Sequence, residues 1–518
     1  MSFSVSNLST GDFISNLSGT NGVATILGGN VLYYSSNSGA NWVLAQTVSN
    51  ASFTYIGISG TNAIAMGNNT LDGSVFIYYS TNSGVTWNSY STGPFTGIIV
   101  EKITGSISGS NVICIVEDSS SVVNIFFSTN GGNTWNSSQE SSSPISVSNA
   151  FFIEPDISGN NAIVCIDNNT DNNIYISNDG GANFIINFNL PSTSSGFNVS
   201  SVSISGLNAL ITAYDTNDGL IFVSNDGGVT WGSPVVTAAN IELNKSDING
   251  SVGFVGGINT VDNDAVIYST TDSGTSWTPV PLSGVNYFNF SSISGSGTNG
   301  LAAVETNSGD GILFYTTNSG TSWTQSTTLS GNTINNVSLS NSNGIAGTSN
   351  GVYYSSSPLC YEANTLILVL ENEAEVYKKV SELKVGDLVK TYKQGYKKVK
   401  LLRSFNYKPL DKNSELNFLY KMKDNGVILT AGHSILVDEL TKQEEVNNLK
   451  YGFNQMIEDK KLLLACSSDK FEKIDDDQEY NLYHFSLESD DSKAHYGVYI
   501  TDGVLSESCS EEALLRMF

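Results

Sequence analysis

Cys360 opens the stretch CYEANTLILV directly after the last copy of a long repeat, and Thr430-Ala-Gly-His433 follows seventy residues on. A thiol at the first position of a new domain, with a Thr-x-x-His to follow, is the arrangement needed to break the peptide bond just before the cysteine, here Leu359–Cys360. Cysteine is a strong nucleophile near neutral pH, and histidine trades a proton there. Each feature alone has a plainer reading. A single cysteine before an apolar strand is usually buried packing, and a lone Thr-x-x-His arises by chance. Their meeting at a domain start favours chemistry directed at the chain itself.

The elements around these residues read as short strands. After Pro358 lysine appears, serine thins out and the repeat stops, with SSSPL as almost the whole linker. Apolar runs predict strands over 366–370, 388–392, 399–404, 418–422, 427–429, 434–437, 461–465, 483–487 and 496–500. Helical signals are weak except at 510–515, a capped last helix. The expected domains are 1–357, 358–509 and a helical tail over 510–518. Cys466 reads as a core residue and His495 as a surface one. His484, on a strand, reads equally well as structural or as a neighbour of the site.

The part before residue 357 is repetitive. An apolar strand, a Ser or Thr, a free residue, Asn or Asp, a free residue, Gly, two residues and an aromatic recur from YSSNSGANW (34–42) to YTTNSGTSW (315–323). The Asx positions are Asn37, Asn82, Asn130, Asp179, Asp226, Asp272 and Asn318. The aromatics are Trp42, Trp87, Trp135, Phe184, Trp231, Trp277 and Trp323, spaced 45 to 49 residues apart, a period that marks a repeat architecture. The motif makes a hairpin turn: the Asx side chain accepts backbone amides, and Gly supplies a positive φ. The aromatic buries a large apolar area between sheets. Metal or sugar binding by Asp179, Asp226 and Asp272 is the weaker reading, since Asn replaces Asp in four of seven copies.

A second motif, of the type ISGTNAIA, occurs eight times and reads as strand, tight turn, strand. The last unit lacks a fourth strand, which residues 3–8 at the N-terminus are placed to supply. Together the motifs resemble the Asp-box repeat of sialidase-like β-propellers. The resemblance implies an all-β propeller of four-stranded blades, with eight blades favoured and seven the alternative. It does not extend to sialidase activity, because a carboxylate-gripping arginine cluster is needed and residues 1–357 contain no arginine and no histidine. A carboxylate-pair glycosidase stays formally open.

Residues 360 to about 509 resemble the Hint domain of hedgehog C-terminal segments and inteins. The resemblance rests on Cys360 with Thr365, on Ser381–Val389 (SELKVGDLV), on Val427–His433 (VILTAGH) and on Tyr496–Cys509 (YGVYITDGVLSESC). It implies an N-to-S acyl shift in which Cys360 attacks the Leu359 carbonyl, His433 protonates or polarises the departing nitrogen and Thr430 hydrogen-bonds within the site. Thr365, His484 and Cys509 are candidates for the surrounding shell. No Asn precedes Cys509, which argues against full splicing. Arg403-Ser404-Phe405-Asn406 stands where sterol transfer needs an aspartate. Hydrolysis or attack by a small nucleophile is the expected outcome, with an inactivated Hint fold on a structural or adhesive propeller as the alternative.

Composition narrows the partners. Residues 1–357 hold two lysines, Lys102 and Lys245, against 21 carboxylates, a net of −19 within a chain total of −26. Such a surface repels nucleic acid and anionic membranes, so an unidentified protein or glycan is the expected ligand. No metal site and no cofactor is expected. Five cysteines at irregular spacing make no disulfide framework, and Cys114 and Cys165 read as buried packing. The start, MSFSVSNLSTGD, lacks the basic and apolar regions of a secretory signal, and no apolar run spans a bilayer. A cytoplasmic monomer before cleavage is the default expectation, with a virion or unconventional export as alternatives.

Overall fold

Short apolar runs punctuated by Ser, Asn and Gly turns fold as antiparallel sheets. The computed structural model describes residues 2–90, 93–167, 172–187, 198–214, 218–282, 287–340, 343–356, 360–407, 418–450, 456–476, 478–491 and 494–509. The helix expected over 510–515 and Leu359 lie outside them. The chain forms two compact units, residues 5–354 and a second made of residues 355–518 with the first four. No helix among the described residues is long and apolar enough to cross a membrane.

In the first unit the described residues form eight sheets of four or five strands and one two-stranded hairpin, Gln139–Glu140 with Ser143–Pro144. The sheet of Asn198–Ser205, Asn208–Tyr214, Asp218–Ser224 and Val236–Ala239 is typical, a simple antiparallel meander. The first strand of each sheet packs on the first strand of the next, and Ile334–Ser340 of the last packs on Phe13–Ser18 of the first, closing a ring. The last sheet takes its fourth strand from the N-terminus, as anticipated. There Ser6 donates its amide to the Val352 carbonyl, and Val352 donates to Leu8.

The cores lie between neighbouring sheets, and the repeat aromatics fill them. Trp87 packs with Val23 and Leu32 of the first sheet and Phe53 and Ile56 of the second. Trp42 packs with Phe13, Leu17, Ile345 and Val352, so the same kind of core joins the last sheet to the first.

The ISG-type motif serves a purpose beyond a hairpin turn. Its serine hydroxyl accepts the amide of the corresponding glycine in the next sheet: Ser59 from Gly109 at 2.8 Å, Ser108 from Gly159 at 2.9 Å, Ser158 from Gly206 at 2.9 Å and Ser205 from Gly250 at 2.9 Å. The motif's asparagine binds the same glycine's carbonyl, as Asn111 does to Gly159 and Asn161 to Gly206, both at 2.8 Å. The glycines stand in the turns just past the inner strands, and these side chains satisfy the turns' backbone groups. Ser340 closes the series on Gly19 at 2.7 Å.

The second unit holds a nine-stranded and a five-stranded sheet. In the larger, Tyr361–Glu362 lies between Tyr480–Leu487 and Ile428–Thr430. In the smaller, Ser434–Val437 lies between Lys460–Leu464 and Leu505–Glu507. The turn Thr430-Ala-Gly-His433 therefore runs from one sheet to the other. Strands Ala374–Lys379 and Phe471–Ile474 were not anticipated from the sequence, nor was the helix Lys442–Lys450. That helix starts with a capping box: Thr441 Oγ1 accepts the Glu444 amide at 3.2 Å, and Glu444 accepts the Thr441 amide at 2.9 Å. It carries few apolar residues and is held by polar bonds instead, Asn448 donating to the Leu462 carbonyl at 2.7 Å.

Candidate functional site

Cys360 ends in the middle of the larger sheet because its neighbour Tyr361 pairs with Leu429 on one side and Tyr483 on the other. That register sets Cys360 opposite Thr430 and His484. The Cys360 amide donates to Thr430 Oγ1 at 3.0 Å, and the Thr430 amide donates back to the Cys360 carbonyl at 3.2 Å. The nitrogen of the Leu359–Cys360 bond is thus held by the threonine hydroxyl. Leu359 itself is outside the described residues.

His433 is fully buried, its ring centroid 4.2 Å from that of Tyr361. Its Nε2 lies 3.1 Å from the Glu507 carbonyl oxygen. A carbonyl only accepts, so Nε2 carries the hydrogen and Nδ1 keeps its lone pair. Nδ1 meets no hydrogen-bond partner of good geometry among the described residues. Burial pushes the imidazole down to about 4, while the nearby backbone of Cys360 and of Glu507 works the other way. At neutral pH burial keeps His433 uncharged, and its Nδ1 lies beside the Cys360 backbone.

Burial raises the Cys360 thiol well above its ordinary range, and the Cys509 thiol close by raises it further. Cys509 is buried against the same strand, its amide donating to the Phe485 carbonyl at 3.2 Å. His484 is buried with both ring nitrogens unpartnered among the described residues, its ring 6.2 Å from that of His433. Burial, then His433 and His495, depress its pKa. Cys360, Thr430, His433, His484 and Cys509 are thus brought together. Thr365 is buried in the turn after Tyr361–Glu362, with no hydrogen bond to Cys360, Thr430 or His433.

His495 is not a surface residue. It is half-buried, and its Nδ1 lies 2.9 Å from the Ser508 carbonyl, because the last strand pair folds over it. Cys466 is half-buried beside the core of this unit. Glu507 was missed as a site residue. Its Oε1 accepts the Ser434 amide at 2.9 Å, and its carbonyl accepts the Tyr361 hydroxyl at 2.6 Å. Burial pushes its carboxyl up to about 7. A buried Glu two residues before Cys509 gives no local signal, since its partner lies 73 residues back.

In the first unit the Asx side chains are occupied within their own turns. Asp226 accepts the Ser224 hydroxyl at 2.7 Å and the Thr230 amide at 2.9 Å, and the Ser224 hydroxyl accepts the Gly228 amide at 3.0 Å. Bonds from the Ser276 hydroxyl and amide and the Thr270 hydroxyl hold Asp272 down at about 2. Among the described residues no cluster of His, Cys, Asp and Glu could hold a metal ion.

Four-stranded sheets packed in cyclic order about their inner strands define a β-propeller. No family model and no curated protein matches the chain. Among solved structures it is similar to YCF48 bound to D1 peptide, at 13% identity and a TM-score of 0.40 over 68% of this chain and 100% of that one. It is similar to Sqt1 of Saccharomyces cerevisiae, at 13% identity and 0.45 over 69% and 98%. The GH74 xyloglucanase of Xanthomonas campestris matches at 9% identity and 0.37 over 98% and 99%.

Proposed function

We propose that this chain cuts itself once, between Leu359 and Cys360, and so releases a recognition propeller. In this reading the first unit is an eight-bladed Asp-box propeller and the second a Hint domain. The eight cyclically packed sheets and the Ser–Asx–Gly turn bonds support the first assignment. The second is supported by a Thr-x-x-His turn passing between two sheets beside an initial cysteine. The observation that carries the chemistry is the bond from the Cys360 amide to Thr430 Oγ1, with the buried His433 ring beside the Cys360 backbone.

Cys360 Sγ attacks the Leu359 carbonyl carbon. Neutral His433 takes the thiol proton on Nδ1 and returns it to the departing nitrogen, which Thr430 holds in line. The C–N bond breaks as the S–C bond forms, leaving a thioester on Leu359 and a free amine on Cys360. Water, or a small thiol or amine, then attacks the thioester, which frees the Leu359 acyl group and restores the thiol.

A second reading, a recognition propeller with an inert Hint domain, is favoured by the complete burial of Cys360 and its raised thiol pKa. Denaturing gels separate the two. Self-cleavage gives fragments ending at Leu359 and beginning at Cys360, increased by hydroxylamine or dithiothreitol and lost in Cys360→Ala. A single uncut band under strong nucleophiles sinks the cleavage reading.

A further inference from the structure

Four consecutive inner strands of the propeller share one irregularity. Their pairing slips by a residue between Val199 and Ser201, Leu243 and Lys245, Phe290 and Ser292, and Ile334 and Asn336. The extra residues are Ser200, Asn244, Ser291 and Asn335, and all four line one cavity of about 690 Å³. A bulge re-aims a side chain that strict alternation would turn elsewhere. Four bulges in neighbouring sheets therefore set hydroxyls and amides around one space.

Lys245, Asn289 and Tyr214 also line it, each half-buried, and their polar ends have no hydrogen-bond partner among the described residues. Glu242 and Glu305 complete the polar wall. Glu305 accepts the Ile334 amide at 2.9 Å and Glu242 the Asn244 side-chain amide at 3.2 Å, which leaves the second carboxylate oxygen of each available.

We propose that this cavity binds a neutral oligosaccharide. Its lining offers the Lys245 ammonium and the Asn289 amide as donors, the Tyr214 hydroxyl, which donates and accepts, and carboxylate acceptors. The Ser200 and Ser291 hydroxyls already donate to the Thr212 and Ala303 carbonyls and keep only lone pairs to offer. Together these groups are the complement of a row of sugar hydroxyls. The Tyr214 ring supplies an aromatic surface for a sugar face. Apolar lining is confined to Val199, Ile334 and the fully buried Phe290, so no deep apolar pocket is present for a peptide anchor. The unit's net charge of −19, with two carboxylates at the cavity, opposes a polyanion. Lys245, one of the unit's two lysines, is the cation in the lining and carries no ion pair among the described residues.

The proposal rests on the cavity and is independent of self-cleavage, so the Cys360→Ala chain must bind as the wild type does. Isothermal titration of the full chain with cellohexaose, xylohexaose and mannohexaose is the test, with a galacturonic acid hexamer as the acidic counterpart. At least one neutral probe should bind, with little change on adding salt. Lys245→Ala and Asn289→Ala should each weaken that binding about tenfold with the melting temperature unchanged. The proposal is overturned if all three neutral probes fail, if binding survives both substitutions together, or if the acidic hexamer binds more tightly.

Discussion

At the scale of single residues, the candidate site turns on two groups that burial drives in opposite directions. His433 is held neutral, and Glu507 is held near the point of half-protonation. Thr430 tests the geometry directly. Thr430→Val keeps the shape and removes the acceptor for the Cys360 amide, so cleavage followed on gels should slow about tenfold or more, while Thr430→Ser restores most of the rate. Glu507 tests the electrostatics. Its folded value of about 7 lies above its ordinary 4.5, so the folded chain binds the extra proton between these values. Stability from this group is complete below that window and is lost as pH rises through it. Glu507→Gln keeps an oxygen for the Ser434 amide and cannot ionise. Urea unfolding should find the variant more stable than wild type by roughly 1–3 kcal/mol at alkaline pH, with the difference gone once the pH is below the window. An equal gain at every pH would mean that the carboxyl is not the cause.

At the scale of elements, what was legible in the sequence was what is local. The Ser–x–Asx–x–Gly turn could be read because hydroxyl, carboxyl and glycine sit within five residues and bond to one another. Gly228 shows how tightly that turn is specified. Its φ is +86°, and an added Cβ would lie 2.6 Å from Ile176 Cδ1 of the preceding sheet. Gly228→Ala should cost about 1–3 kcal/mol in thermal or urea unfolding. Gly232→Ala, where nothing lies within 4 Å, should cost little. Comparable losses at both positions would remove the packing argument. The ISG serines and asparagines were visible as a motif, but their partner along the chain is a glycine some 42 to 51 residues away, which no local pattern names. The helix Lys442–Lys450 was missed for the opposite reason: its capping box is local, but KQEEVNNLK has no apolar stripe for periodicity to detect. Cys360 and Thr430 were paired by motif order alone, whereas Glu507 enters through a strand that folds back from far along the chain.

At the scale of the whole propeller, stability depends on the ring being closed. Each sheet lends side chains to the inner edge of the next, and the chain ends complete the circuit. Asn336 accepts the Ser15 amide at 3.1 Å, and Ser338 accepts the Leu17 amide at 3.0 Å. Asn7 brackets the first repeat turn, donating to the Trp42 carbonyl at 2.8 Å and accepting its amide at 2.7 Å. Leu8 fills the core shared by the first and last sheets. In a closed ring every interface has a partner on both sides, whereas in an open array the two ends fray first. Removing residues 1–8 takes away the outer strand of the last sheet, the Asn7 bracket and Leu8 together. Amide hydrogen exchange on the truncated chain should then show protection lost across residues 13–47 and 334–356, while residues 198–259, on the far side of the ring, stay protected. Uniform loss would mean that the unit unfolds as one block and that closure has no local seam. Unchanged exchange everywhere would mean that the N-terminal segment does not hold the ring shut.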